Sequence, residues 1–164
     1  MLRKFAVVLF LVPSIANAMW FTQSDENIFN EKKAFMIGQL FNSSSAIAFD
    51  CEDGELSISY LEDDKITEDE ISGTPMNLIF KVDSNPIVKF NAVMERRNKD
   101  TMAVTSSEKS EIIKILSQLR NAKSNFMFGI TNPNIDMKHS GKGDIKNSTK
   151  AVNKFISDCG IKVD

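Results

Sequence analysis

Apolar and polar side chains alternate with period two along the middle of the chain, the pattern of β-strands that bury one face. Met76, Leu78, Phe80 and Val82 fall on one side of such a strand, with Asn77, Ile79 and Lys81 on the other. After the turn formers Asp83-Ser84-Asn85-Pro86, Val88, Phe90, Ala92 and Met94 alternate with Lys89, Asn91 and Glu95, which predicts a long antiparallel hairpin. Upstream, Ile47, Phe49 and Cys51 lead into Asp53-Gly54, a dipeptide suited to a two-residue turn with positive φ at both positions. Leu56, Ile58 and Tyr60 return on the same face, so Cys51 is expected to point inward. Residues 35–41 predict a further strand. Met127-Phe128-Gly129-Ile130 and Ile135-Asp136-Met137 flank Asn132-Pro133-Asn134 as a third hairpin.

Two segments change to a helical period. Thr105-x-x-Glu108 has the form of a capping box, and Ile112, Ile113, Leu116 and Leu119 follow at one-face spacing, predicting a helix near 107–121. A second helix is predicted over 145–158, with Val152, Phe155, Ile156 and Cys159 as its stripe and Gly160 placed to end it. Strands with one apolar face need cover, and two amphipathic helices supply it. The expected fold class is α+β, an antiparallel β-sheet or sandwich with two covering helices. Its core is expected to take up Phe35, Phe49, Phe80, Phe90, Phe128 and Phe155.

The first eighteen residues follow neither period. Arg3 and Lys4 precede the unbroken apolar run Phe5 to Val12, Pro13 interrupts it, and Ala16-Asn17-Ala18 offers the small-x-small site of signal peptidase. Residues 1–18 therefore read as a cleaved leader, and residues 19–164 as a single secreted globular domain. Eight apolar residues of helix reach about 12 Å against a hydrocarbon core of about 30 Å, so no stable membrane insertion is expected after cleavage. A periplasmic or secreted location is oxidising, and there an isolated cysteine pair bonds. Cys51 and Cys159 are the two cysteines, and their disulfide is expected to pin the end of the second helix to the strand before Asp53-Gly54.

Charge and chemistry narrow the function classes. When Arg3 and Lys4 leave with the leader, 18 basic residues remain against 22 acidic, a formal charge of −4. That balance argues against nucleic acid or anionic lipid as the partner, since both select clustered Lys and Arg. Glu62, Asp63, Asp64, Glu68, Asp69 and Glu70 concentrate carboxylates in residues 62–70 without the D-x-[DN]-x-[DN]-G calcium pattern, and a solvated inter-strand loop is expected. His139 is the single histidine, and neither GxSxG nor HExxH accompanies it. Ser140-Gly141-Lys142-Gly143-Asp144 is too short for a P-loop and reads as a strand-to-helix connection. No catalytic residue, metal ligand or cofactor is assigned. The features left for recognition are the acidic run, Arg96, Arg97 and Lys99 at the tip of a long strand, and Trp20-Phe21. That aromatic pair either packs against the sheet or is offered to a partner.

The order of landmarks resembles one family. Trp20 precedes Ser24-Asp25-Glu26, a strand ends in Phe49-Asp50-Cys51 before Gly54-Glu55-Leu56, and a later strand ends in Phe80-Lys81-Val82-Asp83. A helix, a segment ending in Ser140-Gly141 and a last helix closing on Cys159-Gly160 complete the order. The chain is similar in this to the periplasmic type VI secretion-associated proteins of the VasI/TagO kind. It departs in carrying Asp25-Glu26 where tandem Asp is expected, and in the acidity of residues 62–73. The resemblance implies a non-enzymatic accessory or binding protein with an envelope protein as partner. The alternatives are a periplasmic inhibitor or immunity protein against a hydrolase or toxin, and a small cell-wall hydrolase.

Overall fold

In the computed structural model, residues 20–26, 32–41, 44–63 and 72–163 are described. The residues read as a leader with its cleavage site, and residues 64–70 of the acidic run, lie outside these. Among the described residues, nine strands form one antiparallel sheet: β1 (Trp20–Glu26), β2 (Lys32–Gln39), β3 (Ser45–Glu52), β4 (Glu55–Asp63), β5 (Thr74–Val82), β6 (Val88–Asn98), β7 (Thr101–Ser106), β8 (Asn125–Asn132) and β9 (Met137–Asp144). The helices are α1 (Lys109–Arg120) and α2 (Ser148–Cys159). Their order across the sheet is β1-β2-β3-β4-β7-β6-β5-β8-β9. The sheet curls into a half-barrel: Leu40, just past β2, bridges to Gly143 of β9, and the Phe41 amide donates to the Lys142 carbonyl at 3.2 Å.

Period two holds where it was read. The β5–β6 hairpin pairs Leu78 with Phe90 and Phe80 with Val88, and Met76, Leu78, Phe80 and Val82 are all buried. The β3–β4 hairpin turns at Asp53 and Gly54 with φ of 49° and 83°. The inward faces of the strands join Ile112, Ile115, Leu116 and Leu119 of α1 and Ala151, Val152 and Phe155 of α2 in one core. Helix α2 packs on β1 and β2, and α1 on β4, β5 and β6. The two helices also complete one another: Ser148 Oγ and Thr149 Oγ1 donate to the Leu119 and Arg120 carbonyls, which have no acceptor role left inside α1.

Several expectations change. Thr105 does not cap a helix; it lies in β7, and its hydroxyl meets Ser59 at 3.0 Å. Glu108 is the residue before α1, and its carboxylate accepts from the Asn91 backbone amide and side-chain amide. Ile115, and not Ile113, completes the buried stripe. Phe35 is half-buried on the outer face, while Phe126 joins the core in its place. Strand β1 lacks clear alternation because most of its inward positions are polar, and β7 because Met102, Ala103 and Val104 are buried in succession. Their inward residues include Thr22, Ser24 and Ser106, which pattern alone does not mark.

The third hairpin is present as β8–β9, but β9 runs on through Ser140-Gly141-Lys142-Gly143-Asp144, which is strand and not a connection. Cross-strand pairing explains the glycines. Gly141 lies opposite Phe128 and Gly143 opposite Phe126, and each ring folds over its glycine so closely that a Cβ there would overlap ring carbons. Gly38 is covered by the indole of its partner Trp20 in the same way. Gly143→Ala is therefore expected to lower stability by about 1 to 3 kcal/mol through overpacking, read as a fall in the urea midpoint. A neutral Gly143→Ala would mean that the Phe126 ring has room to move.

Asp83 organises the turn after β5. With φ of 48°, it directs its carboxylate at the amides of Lys123, Ser124 and Asn125 and at the Ser124 hydroxyl. Those donors, the Ser124 hydroxyl first, lower its pKa to about 2. A depressed folded pKa adds stability above the ordinary value near 3.8 that is lost as pH falls toward about 2. Asp83→Asn tolerates the same backbone and removes only the charge. The wild-type and Asp83→Asn urea midpoints should differ at neutral pH and converge below pH 2, and parallel curves over that range would refute the assignment.

Candidate functional site

Alternation along β1 sends its aromatic pair to opposite sides of the sheet. Trp20 turns inward, 1% exposed, with its Nε1 donating to the Asp144 carbonyl at 2.6 Å and its ring 5.3 Å from Phe126. The indole is thus part of the core. Phe21 turns outward and remains 48% exposed. Among the described residues its strand is an edge of the sheet, paired only with β2.

Phe21 stands between two grooves. One, of about 360 Å³, crosses the outer face, floored by Ile37, Ala46 and Leu61 and rimmed by Glu62 and Asp63, the described start of the acidic run. Ala48, Leu61 and Ala103, with Phe35 and Ile37 against them, form a small second apolar cluster on this face. The other groove, about 330 Å³, runs between β1 and α2 past Thr22, Asn147, Lys150 and Lys154.

Arg96 and Arg97 lie in the last residues of β6, at the expected tip, and both are engaged there. A bulge between Arg96 and Asn98 interrupts the β6–β7 ladder. Arg97 folds back so that Nη1 and Nη2 grip both Asp50 carboxylate oxygens at 2.9 and 2.7 Å. Its guanidinium lies 5.5 Å from the Phe35 ring centroid. Asp50 is in β3, separated from β6 by β4 and β7 in the sheet order, so only the coil of the sheet brings the pair together. Arg96 is half-buried and engaged in an interaction of its own. Neither arginine is offered as an isolated cation.

His139 reaches a different environment. Its Nε2 is 3.5 Å from the Tyr60 hydroxyl, which donates to Ser45 Oγ at 3.3 Å. Tyr60 also stacks on Phe128 at 4.9 Å. Burial pushes the Tyr60 phenol up to about 12, so it stays protonated at neutral pH and cannot act there as a base. Tyr60 thus separates the imidazole from the buried Ser45, the geometry of a packed polar contact and not of a base beside its nucleophile. Among the described residues, no three His, Cys, Asp or Glu side chains gather as a metal site.

Cys51 and Cys159 are bonded, with Cα atoms 5.9 Å apart, and no free cysteine remains. The bond joins the last turn of α2 to β3 and so fixes the helical wall of the groove beside Phe21. A formed disulfide fits folding in an oxidising compartment. Among the described residues, no helix is long and apolar enough to cross a membrane. No protein-family model, curated protein or solved structure matches this chain.

Proposed function

We propose that this chain is a non-enzymatic accessory protein of the periplasm or secreted space, and that it binds an envelope protein through the surface around Phe21. The observation that carries this reading is a large aromatic side chain left about half exposed on an edge strand between two grooves, while its neighbour Trp20 is fully used by the core. The leader-like first eighteen residues and the disulfide support the compartment. The landmark order shared with periplasmic type VI secretion-associated proteins supports a partner within a secretion apparatus.

Site-specific photo-crosslinking tests the proposal. A crosslinker next to Phe21 should yield a discrete adduct in envelope extracts. Phe21→Ser should abolish the partner's capture while changing stability by less than about 1 kcal/mol, as expected of a surface substitution. Undiminished capture by a folded Phe21→Ser protein would remove Phe21 from the interface and the proposal with it.

A further inference from the structure

We infer that β1 takes up an extended, acidic segment of a partner protein by strand addition, with the segment's carboxylates meeting Lys150 and Lys154 of α2. This rests on the reading of Phe21 as a partner anchor and specifies what the partner presents there.

The first ground is the edge itself. β1 is paired on one side by β2, so alternate residues along its seven direct amide N–H and carbonyl groups away from the sheet. A row of such groups is matched by another extended backbone. Helix α2 does not take that place, because it lies against the inward side chains: Thr22 Oγ1 donates to the Ala151 carbonyl at 2.7 Å, and Lys154 Nζ donates to Ser24 Oγ at 3.1 Å.

The second ground is charge. Among the described residues, the groove beside the edge is lined by Lys150 and Lys154 and by no carboxylate. The Lys154 bond to Asp158 is an exposed i,i+4 pair, the kind that exchanges readily for a better partner. Spacing agrees as well. Residues i and i+4 of a helix are about 6 Å apart along its axis, and residues i and i+2 of a strand are about 6.8 Å apart. An added strand with acidic residues at alternate positions therefore faces one carboxylate to each lysine. The residues between them turn to the outer face, where an apolar side chain meets Phe21.

The test uses the full chain and two fluorescein-labelled peptides, Glu-Val-Glu-Val-Glu-Val and Lys-Val-Lys-Val-Lys-Val. In fluorescence anisotropy the acidic peptide should bind at least tenfold more tightly, and the double variant Lys150→Glu, Lys154→Glu should reverse that order, as swapped charges at an interface do. Hydrogen exchange should slow across residues 20–26 when the acidic peptide is bound. N-methylation of its amides on one alternation should abolish binding, and on the other leave it intact. Equal binding of both peptides, unchanged exchange in β1, or indifference to N-methylation on both alternations would each overturn the inference. So would a free protein that is already dimeric by light scattering with β1 protected, since a second copy would then occupy the edge. In each of these cases, loss of envelope-partner capture by Phe21→Ser would leave the partner-anchor reading standing. Capture unaffected by Phe21→Ser would remove that reading separately.

Discussion

Replacing Cys51 and Cys159 together with serine is expected to lower the unfolding free energy by about 4 to 5 kcal/mol, because the bond closes a loop of 108 residues in the unfolded chain. For a domain whose total stability is of order 5 to 15 kcal/mol, this is a large share. The effect acts mainly on the unfolded ensemble, so the folded variant should keep its circular dichroism spectrum while its urea midpoint falls steeply. Both cysteines must be changed, since a single replacement leaves a buried thiol with its own reactivity. A loss smaller than about 1 kcal/mol would mean that the unfolded chain already holds α2 near β3, so that the bond constrains little.

Trp20→Ala is expected to cost about 3 to 5 kcal/mol. The indole is 1% exposed, covers Gly38 across the β1–β2 ladder, lies against Phe49 and Phe126, and supplies a donor to the Asp144 carbonyl. Truncation leaves a cavity at the place where β1, β2 and the end of β9 meet, and strips a carbonyl of its partner. For a chain of this size the melting temperature should fall by roughly 10 °C. Trp20→Phe should fall between, retaining most of the ring contact and none of the hydrogen bond. Phe21→Ser one residue away should leave the melting temperature nearly unchanged. Equal losses at the two positions would contradict the opposite orientation of the pair, on which the candidate site depends.

Much of the fold could be read from local pattern, and the reason is burial geometry. In β5 and the first half of β6 one face is buried and the other is largely open, so alternation of side chains records the faces directly, and in β3 and β4 the inward face alternates in the same way although part of the outer face is also covered. Asp53-Gly54 places the β3–β4 turn because positive φ at two successive positions admits few residues. Gly160 ends α2 in the left-handed region for a related reason. Where those conditions fail, pattern fails. β7 is covered on both faces, so Met102, Ala103 and Val104 are consecutive buried residues, and Thr105 was open to a helix-cap reading. β9 carries glycine where alternation would place an apolar residue, because the rings of Phe126 and Phe128 come from the neighbouring strand to fill that space. A glycine two residues from another glycine, opposite alternating aromatics, is the signal that would have marked it.

By itself, then, the sequence determined an α+β chain with an antiparallel sheet, two amphipathic helices with one end marked by glycine, and a cysteine pair suited to bond. Each follows from the short-range chemistry of turns, periodicity and burial. Only the tertiary structure decided how Trp20 and Phe21 divide, since adjacent residues on a strand are interchangeable until one face is assigned to the core. Only it joined the Arg97 side chain, at the end of β6, to Asp50 across two intervening strands, because that contact depends on the accumulated coil of the sheet. Only it set Lys150 and Lys154 beside the edge strand β1, because 130 residues separate Ser24 from the Lys154 amine that donates to it, and nothing local in the chain encodes that meeting.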